Sequence, residues 1–286
     1  GERREIVATD FDFPTTSQIL LAQQARGAEV RRARADAAGT AIPLTEFERL
    51  ISDRTLLVAL PLVCYRNGVW LDFAPIAKLA RERGAMVLLD AYQGLGTRPF
   101  DAVRSGVDFL VGGCAKYLLG ASGIAFMYVR NSREVELQPT ATGWFAQADP
   151  HAMDIYHHQP HASARRFESG TPNAPGLFAA EAGLQLLLEV GLDEVAAQIT
   201  KVTAEIKQAV HEHGWRLVTP PDRHGAMLAV RSNDAPALVT RLTARDIVVT
   251  ERDSNIRIAP HFFNNGDDVA RLISALQAES KLLATD

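Results

Sequence analysis

Cysteine is nearly absent. Cys64 and Cys114 are the only two in 286 residues, and their spacing suggests neither a zinc site nor a disulfide framework. That usage fits a reducing cytoplasm, where thiols stay free. Long apolar runs are also missing, so no stretch reads as a membrane-spanning helix, and the N-terminus shows no signal-peptide pattern. Neither sign of charge is in excess: 30 Lys and Arg against 34 Asp and Glu leave a formal net charge of −4. There is no basic face for nucleic acid or for an anionic membrane. The short cluster Arg31, Arg32 and Arg34 is flanked by Glu29 and Asp36 and reads as a solvated loop. Internal repeats and low-complexity stretches are lacking too. What remains is 47% apolar and 22% charged, an ordinary globular composition. The length suits one large α/β domain plus a smaller one.

Up to about residue 130, apolar strand-like runs alternate with helical patterns. Strands are expected at Glu5–Ala8, Leu56–Leu62, Met86–Leu89, Asp108–Val111 and Ile124–Val129, and helices at Thr16–Gly27 and Phe73–Arg83. Leu56–Leu62 is continuously apolar, the mark of a strand buried on both faces. The alternation predicts an α/β fold with a mostly parallel sheet and helices on both faces. Asn131–Pro175, rich in Pro, His, Gln and aromatics, reads as a long functional loop region. Helices follow at Leu177–Leu188 and Asp193–Glu212. Short strands are expected at Trp215–Val218, Ala226–Val230, Ile247–Thr250 and Ile256–Ala259, with helices at Ala235–Arg245 and Asp267–Leu282. The expected division is a large domain over 1–190 and a small C-terminal α/β domain over 191–286.

Three residues carry the chemical argument. Asp90 ends a buried strand, and in open parallel sheets ligands sit beyond the carboxyl ends of strands. Gln93 follows three residues on. Lys116 lies after the next strand, in an apolar, glycine-rich loop, VGGCAK, where desolvation disfavours the ammonium form. An amine that is partly neutral can form a Schiff base with an aldehyde. A carboxylate at one strand end and a lysine after the next is what a pyridoxal cofactor needs. The carboxylate keeps the pyridine nitrogen protonated and the lysine holds the aldehyde carbon. Taken singly, an Asp at a strand end is more often a helix cap and a Lys beside glycines a solvated charge, and spacing alone does not settle the matter.

The stretch Gly84–Arg130, with GAMVLLDAYQ and VDFLVGGCAKYLLGASGIAFMYVR, resembles the core of the class V aminotransferases, which include cysteine desulfurases, kynureninases and isopenicillin epimerase. Matching positions are Asp90, Gln93, Asp108, Lys116 and Gly123. Arg166–Asn173, RFESGTPN, and Ile256–Asn264, IRIAPHFFN, are similar to two further segments of the family in the same order. The resemblance implies a fold type I enzyme whose cofactor is pyridoxal 5′-phosphate. Lys116 would be the Schiff-base lysine and would shuttle protons. Asp90 would pair with the pyridinium nitrogen, and Gln93 would bond the ring hydroxyl or its surroundings. Phe13 would stack on the ring, as in kynureninase, and Tyr65 or Cys64 would stand near the ring hydroxyl. Thr171 would reach the cofactor phosphate of a neighbouring subunit, and Arg257 would clamp the substrate carboxylate. No metal is implied. The partners implied are a small amino acid substrate and a second copy, in a homodimer with composite active sites. Arg166 with Glu168 is expected to form a structural ion pair.

The sequence also departs from the family. Desulfurases place a His just before the lysine and a polar residue two positions earlier, both of which help hold the phosphate; here Ala115 and Gly113 stand there. No cysteine follows Cys114, which argues against persulfide chemistry of the desulfurase type. The family normally has about eighty to a hundred residues before the equivalent of Glu5, in line with usual domain sizes. They include a turn at a helix N-terminus that cradles the phosphate. The chain as given is therefore expected to dimerise but to hold the cofactor poorly. Transamination, kynureninase-like hydrolysis, C–S or C–C cleavage and epimerisation all remain open, as does a non-catalytic scaffold. Gly94-Leu95-Gly96 lacks the third glycine of a dinucleotide fingerprint. His157, His158 and His161 read as a solvated loop rather than a metal site.

Overall fold

The apolar runs form the sheet that their alternation with helices predicts. The computed structural model describes residues 3–130 and 137–285. Its larger sheet has six strands: β1 (Glu5–Thr9), β2 (Glu29–Ala33), β3 (Thr55–Pro61), β4 (Met86–Asp90), β5 (Phe109–Gly113) and β6 (Ala125–Val129). Their order is β2-β1-β3-β4-β5-β6. All neighbours run parallel except β6, which is antiparallel to β5. The chain goes from β1 outward to β2, then returns to the other side of β1 as β3. This reversal opens a crevice at the carboxyl ends of β1 and β3, where open α/β sheets bind ligands.

Helices α1 (Pro14–Ala22), α2 (Leu44–Leu50), α3 (Ala74–Glu82) and α4 (Ala102–Ser105) lie in the connections. Proline stands in the first turn of α1 and of α3, where its missing N–H costs nothing. One face of the sheet buries Phe11, Phe47, Leu60, Leu62 and Leu89, all nearly inaccessible. The other face buries Ile6, Ala8, Leu20 and Ala59.

Two elements correct the sequence reading. Arg31 and Arg32 lie in edge strand β2 rather than in a loop, with Arg31 paired to buried Glu5 and Arg32 bonded to Thr9 O. An edge strand whose side chains face polar partners shows no apolar alternation, so it carries no periodic signal. Trp215–Val218 is not a strand. It makes only the isolated bridges Trp215–Thr285 and Leu217–Val230, and its apolar character reflects the burial of Trp215 in a core.

Beyond the loop region, α5 (Ala174–Val190) and α6 (Leu192–Glu212) meet at Gly191. A three-stranded antiparallel sheet then forms in the order β7 (Leu228–Arg231), β9 (Asn255–Ile258), β8 (Thr250–Arg252). β8 lies three residues later than the expected strand at Ile247, because Asp246 adopts a positive φ of 57° and the chain turns there. Helices α7 (Ala235–Thr243) and α8 (Gly266–Ala278) cover this sheet; the expected last helix ends at Ala278 and continues as a 3-10 turn. A separate apolar cluster joins Tyr117 and Leu118 to Leu187, Val195 and Ile199, fixing the segment after β5 against α5 and α6. The two sheets meet through the turn after β3, where Thr219 Oγ1 donates to Asn67 O (2.6 Å). Among the described residues no single helix is long and apolar enough to cross a membrane.

Candidate active site

The crevice at the strand ends is a cleft of about 1140 Å³, room for a cofactor and a small substrate together. Strand order assembles its walls: Phe11, Phe13 and Thr16 follow β1, Tyr65 follows β3, Asp90, Tyr92 and Gln93 come from the end of β4, and Lys116 follows β5. The segment Ser163–Pro172 closes one side.

The turn bearing Lys116 is tightly held. Cys114 N donates to Ile124 O (2.9 Å), Gly120 N to Cys114 O (2.7 Å) and Leu119 N to Lys116 O (2.9 Å). Tyr117 and Leu118 are buried, and His261 Nε2 contacts Tyr117 O at 3.0 Å. Gly96, at φ +84°, passes so close that a Cβ on it would lie 2.3 Å from Tyr117 O. The Gly94-Leu95-Gly96 pattern is thereby explained by close packing under this turn.

With its neighbours anchored, the Lys116 side chain projects into the cleft. Nζ lies 4.8 Å from the centroid of the Tyr92 ring and 5.8 Å from that of Phe13. Burial holds its proton affinity below the ordinary lysine range; Asp90 opposes that effect and Arg257 adds to it. The side chain still opens to solvent through the cleft.

Asp90 faces the same space. Its Oδ2 accepts from Thr16 Oγ1 (3.1 Å) and its Oδ1 from Tyr92 N (3.1 Å). Both oxygens are thus oriented while the carboxylate still lines the cleft. Phe13 meets Tyr65 edge-on, with centroids 5.1 Å apart, and Gln93 lines the same wall. Of the two residues expected near the ring hydroxyl, Tyr65 is in the cleft, whereas Cys64 is buried in the sheet core.

Other expected residues lie elsewhere. Arg257 is half-buried and outside the lining; its Nη1 donates to Tyr65 O (2.7 Å) and its Nε to Thr250 Oγ1 (3.1 Å). Thr171 is exposed and does not line this chain's own cleft, whose wall takes Gly170 and Pro172. Arg166 does not pair with Glu168. It is buried and donates to His161 O (2.9 Å) and Leu137 O (3.0 Å), since a guanidinium under a loop is best satisfied by the loop's own carbonyls. Glu168 lines the cleft. Asp108 is buried and accepts from Val87 N (2.8 Å), tying β5 to β4.

Three residues at the site went unnoticed in the sequence. Tyr92 sits between the two residues already singled out, Asp90 and Gln93, and an aromatic there facing a glycine pair was its available signal. Thr16 occupies the first turn of α1 and reaches Asp90 across 74 positions. Asp12, behind the lining residues Phe11 and Phe13, is buried and accepts from Thr9 N (3.1 Å) and Thr9 Oγ1 (2.5 Å), with Arg32 Nη1 at 3.6 Å. A second acid in the run Asp10-Phe11-Asp12-Phe13 was the clue.

The family described as Aminotransferase class-V matches residues 1–253. The chain is 32% identical over 279 residues to the uncharacterized aminotransferase YcbU of Bacillus subtilis (strain 168), covering 97% of this chain and 73% of that one. It is 29% identical over 288 residues to a kynureninase of Deinococcus radiodurans, covering 96% and 68%. Among solved structures, the apo cysteine desulfurase of Thermococcus onnurineus NA1 superposes with a TM-score of 0.86 at 19% identity, covering 98% of this chain and 74% of that chain. A mutant of C-DES with glycine covalently linked to its PLP cofactor gives 0.87 at 21% identity, covering 96% and 74%. At such identities the structures speak for the fold alone.

Proposed function

The chain belongs to the aminotransferase class-V family of pyridoxal-phosphate enzymes, and on that premise we propose that its cleft acts on a small amino acid or amine-bearing carboxylate, with Lys116 as the cofactor lysine. One observation carries this reading: an amine of lowered proton affinity and an oriented carboxylate face the same cleft, with aromatic rings beside the amine. The donor set fits the cofactor, and the cleft is large enough for it.

Bound pyridoxal phosphate supplies an aldehyde for amines and a ring that accepts the electron pair left by a broken Cα bond. Asp90 would hold the proton on the ring nitrogen, its carboxylate oriented by the hydrogen bonds from Thr16 and the Tyr92 N–H. Phe13 would lie against the ring, with Tyr65 meeting Phe13 edge-on. Gln93 and Tyr65 serve the ring hydroxyl side. Lys116, its proton affinity lowered by burial, would carry the cofactor and move the proton at the substrate Cα. Arg257 takes the substrate carboxylate, and its Nη2 is the guanidinium nitrogen not bonded to Tyr65 or Thr250.

The reading includes a homodimer in which Thr171 serves the partner subunit's cleft. Exposed Phe178 and Leu188 on α5, with exposed Met153, Ile155 and Tyr156 on the loop, support it, because a monomer seldom leaves so many large apolar side chains uncovered. Two unpaired thiols, Cys64 and Cys114, agree with a cytoplasmic location. The division into a large domain over 1–190 and a small one over 191–286 belongs to the same reading, supported by separate cores on the two sheets. Kynureninase-like hydrolysis is the second reading, favoured by Phe13-Pro14-Thr15 and by the kynureninase relatives.

Incubation of the full chain with pyridoxal phosphate, borohydride reduction and peptide mapping tests the assignment. Lys116 should carry the label and Lys116→Ala should carry none. A label on another lysine refutes the role given to Lys116.

A further inference from the structure

Gly113 ends β5 three residues before Lys116 and is buried. A Cβ built on it would lie 2.0 Å from Cε2, 2.4 Å from Cζ and 2.7 Å from the hydroxyl oxygen of Tyr92. The Tyr92 phenol therefore fills the volume that any side chain at position 113 would take. Asp90 Oδ1 accepts from Tyr92 N, which fixes the backbone just after β4. Since β4 pairs directly with β5, the ring is delivered onto Gly113. The same ring lies 4.8 Å from Lys116 Nζ and lines the cleft. Among the described residues its hydroxyl has no hydrogen-bond partner.

The strand end beside the lysine offers no side-chain donor of its own, since Gly113 and Ala115 carry none. In pyridoxal phosphate the aldehyde carbon and the methylene bearing the phosphate sit on neighbouring ring atoms, so a phosphate must lie close to the lysine that holds the aldehyde. Asp90, pairing with the ring nitrogen, would place that nitrogen at the opposite end. We propose that Tyr92 is a cofactor-binding residue, its phenol hydroxyl donating to the 5′-phosphate from the place a hydroxyl side chain at 113 would otherwise occupy. This rests on the reading of Lys116 as the cofactor lysine. Gly113 is then not a lost contact but the space that lets Tyr92 supply one.

The test compares pyridoxal phosphate with pyridoxal, which shares the ring and aldehyde but has no phosphate. Each is titrated into the full chain, and the visible absorbance of the lysine-bound cofactor is followed. Tyr92→Phe keeps the ring packed on Gly113 and removes only the donor. It should weaken pyridoxal phosphate by about 10- to 100-fold, the range for one hydrogen bond to a charged group, and leave pyridoxal nearly unchanged. The ³¹P resonance of the bound phosphate should also move. Tyr92→Ala should show the same selective loss, and adding Gly113→Ser, whose hydroxyl enters the vacated volume, should restore most of it. Equal affinity in Tyr92→Phe, or equal losses for both ligands, overturns the proposal. A native chain that forms no lysine-bound species with either ligand instead overturns the reading of Lys116, and this inference falls with it.

Discussion

Asp12 offers a prediction whose sign and size both follow from its surroundings. It is 7% exposed, and burial pushes its carboxyl up from the usual 3.8 to about 6. Hydrogen bonds from Thr9 and the charge of Arg32 oppose that rise, and the nearby charge of Asp90 adds to it. Between those two pH values the folded chain keeps the proton and the unfolded chain has lost it. Stability contributed by this group is therefore complete below about pH 4 and declines as pH rises toward 6. At about 1.4 kcal/mol per tenfold difference in proton affinity, the decline is of order 3 kcal/mol. Asp12→Asn keeps an oxygen for Thr9 but cannot titrate, which isolates the effect. Urea unfolding of both chains, followed by circular dichroism across this pH range, gives the difference in stability at each pH. The native chain should lose up to roughly 3 kcal/mol relative to the variant as pH rises from about 4 to 6.5. Parallel curves would show that Asp12 ionises alike in the folded and unfolded chains, and the burial argument would fail.

Two further outcomes follow from the site. Asp90→Asn should retain cofactor but lower turnover by roughly 100-fold or more, because the ring nitrogen loses the charge that keeps it protonated; near-normal turnover with cofactor bound would refute the role. Gly96→Ala places a Cβ 2.3 Å from Tyr117 O at φ +84°. It should cost on the order of 1–3 kcal/mol and perturb the absorbance of cofactor on Lys116, so an unchanged melting temperature and spectrum would contradict the packing described.

Strands β1, β3, β4 and β5 were legible because burial on a sheet face demands local runs of apolar residues, and such runs are written in consecutive positions; β6 carries a similar run although most of it is exposed. Edge strand β2 and helix α2 were not. β2 satisfies its charged side chains through Glu5 and Thr9, and α2, with seven residues, is too short to establish a helical period. Trp215–Val218 misled in the opposite sense, since a buried Trp gives an apolar signal whether or not its backbone pairs.

The candidate site divides in the same way. Asp90, Gln93 and Lys116 announced themselves through residue type and position after strands, and sequence reasoning alone brought them to one end of the sheet. It could not tell that Cys64 turns into the core while Tyr65 turns into the cleft, or that Arg166 bonds carbonyls rather than Glu168. Nor could it see Thr16 bonding Asp90 across 74 positions, Asp12 buried beside Arg32, or Tyr92 filling the space over Gly113. Local order along the chain records which elements form, because hydrophobic burial and backbone hydrogen bonding repeat with the period of helix or strand. Contacts between side chains on different elements have no period. They depend on which strands become neighbours and how their ends turn, and only the folded sheet decides that.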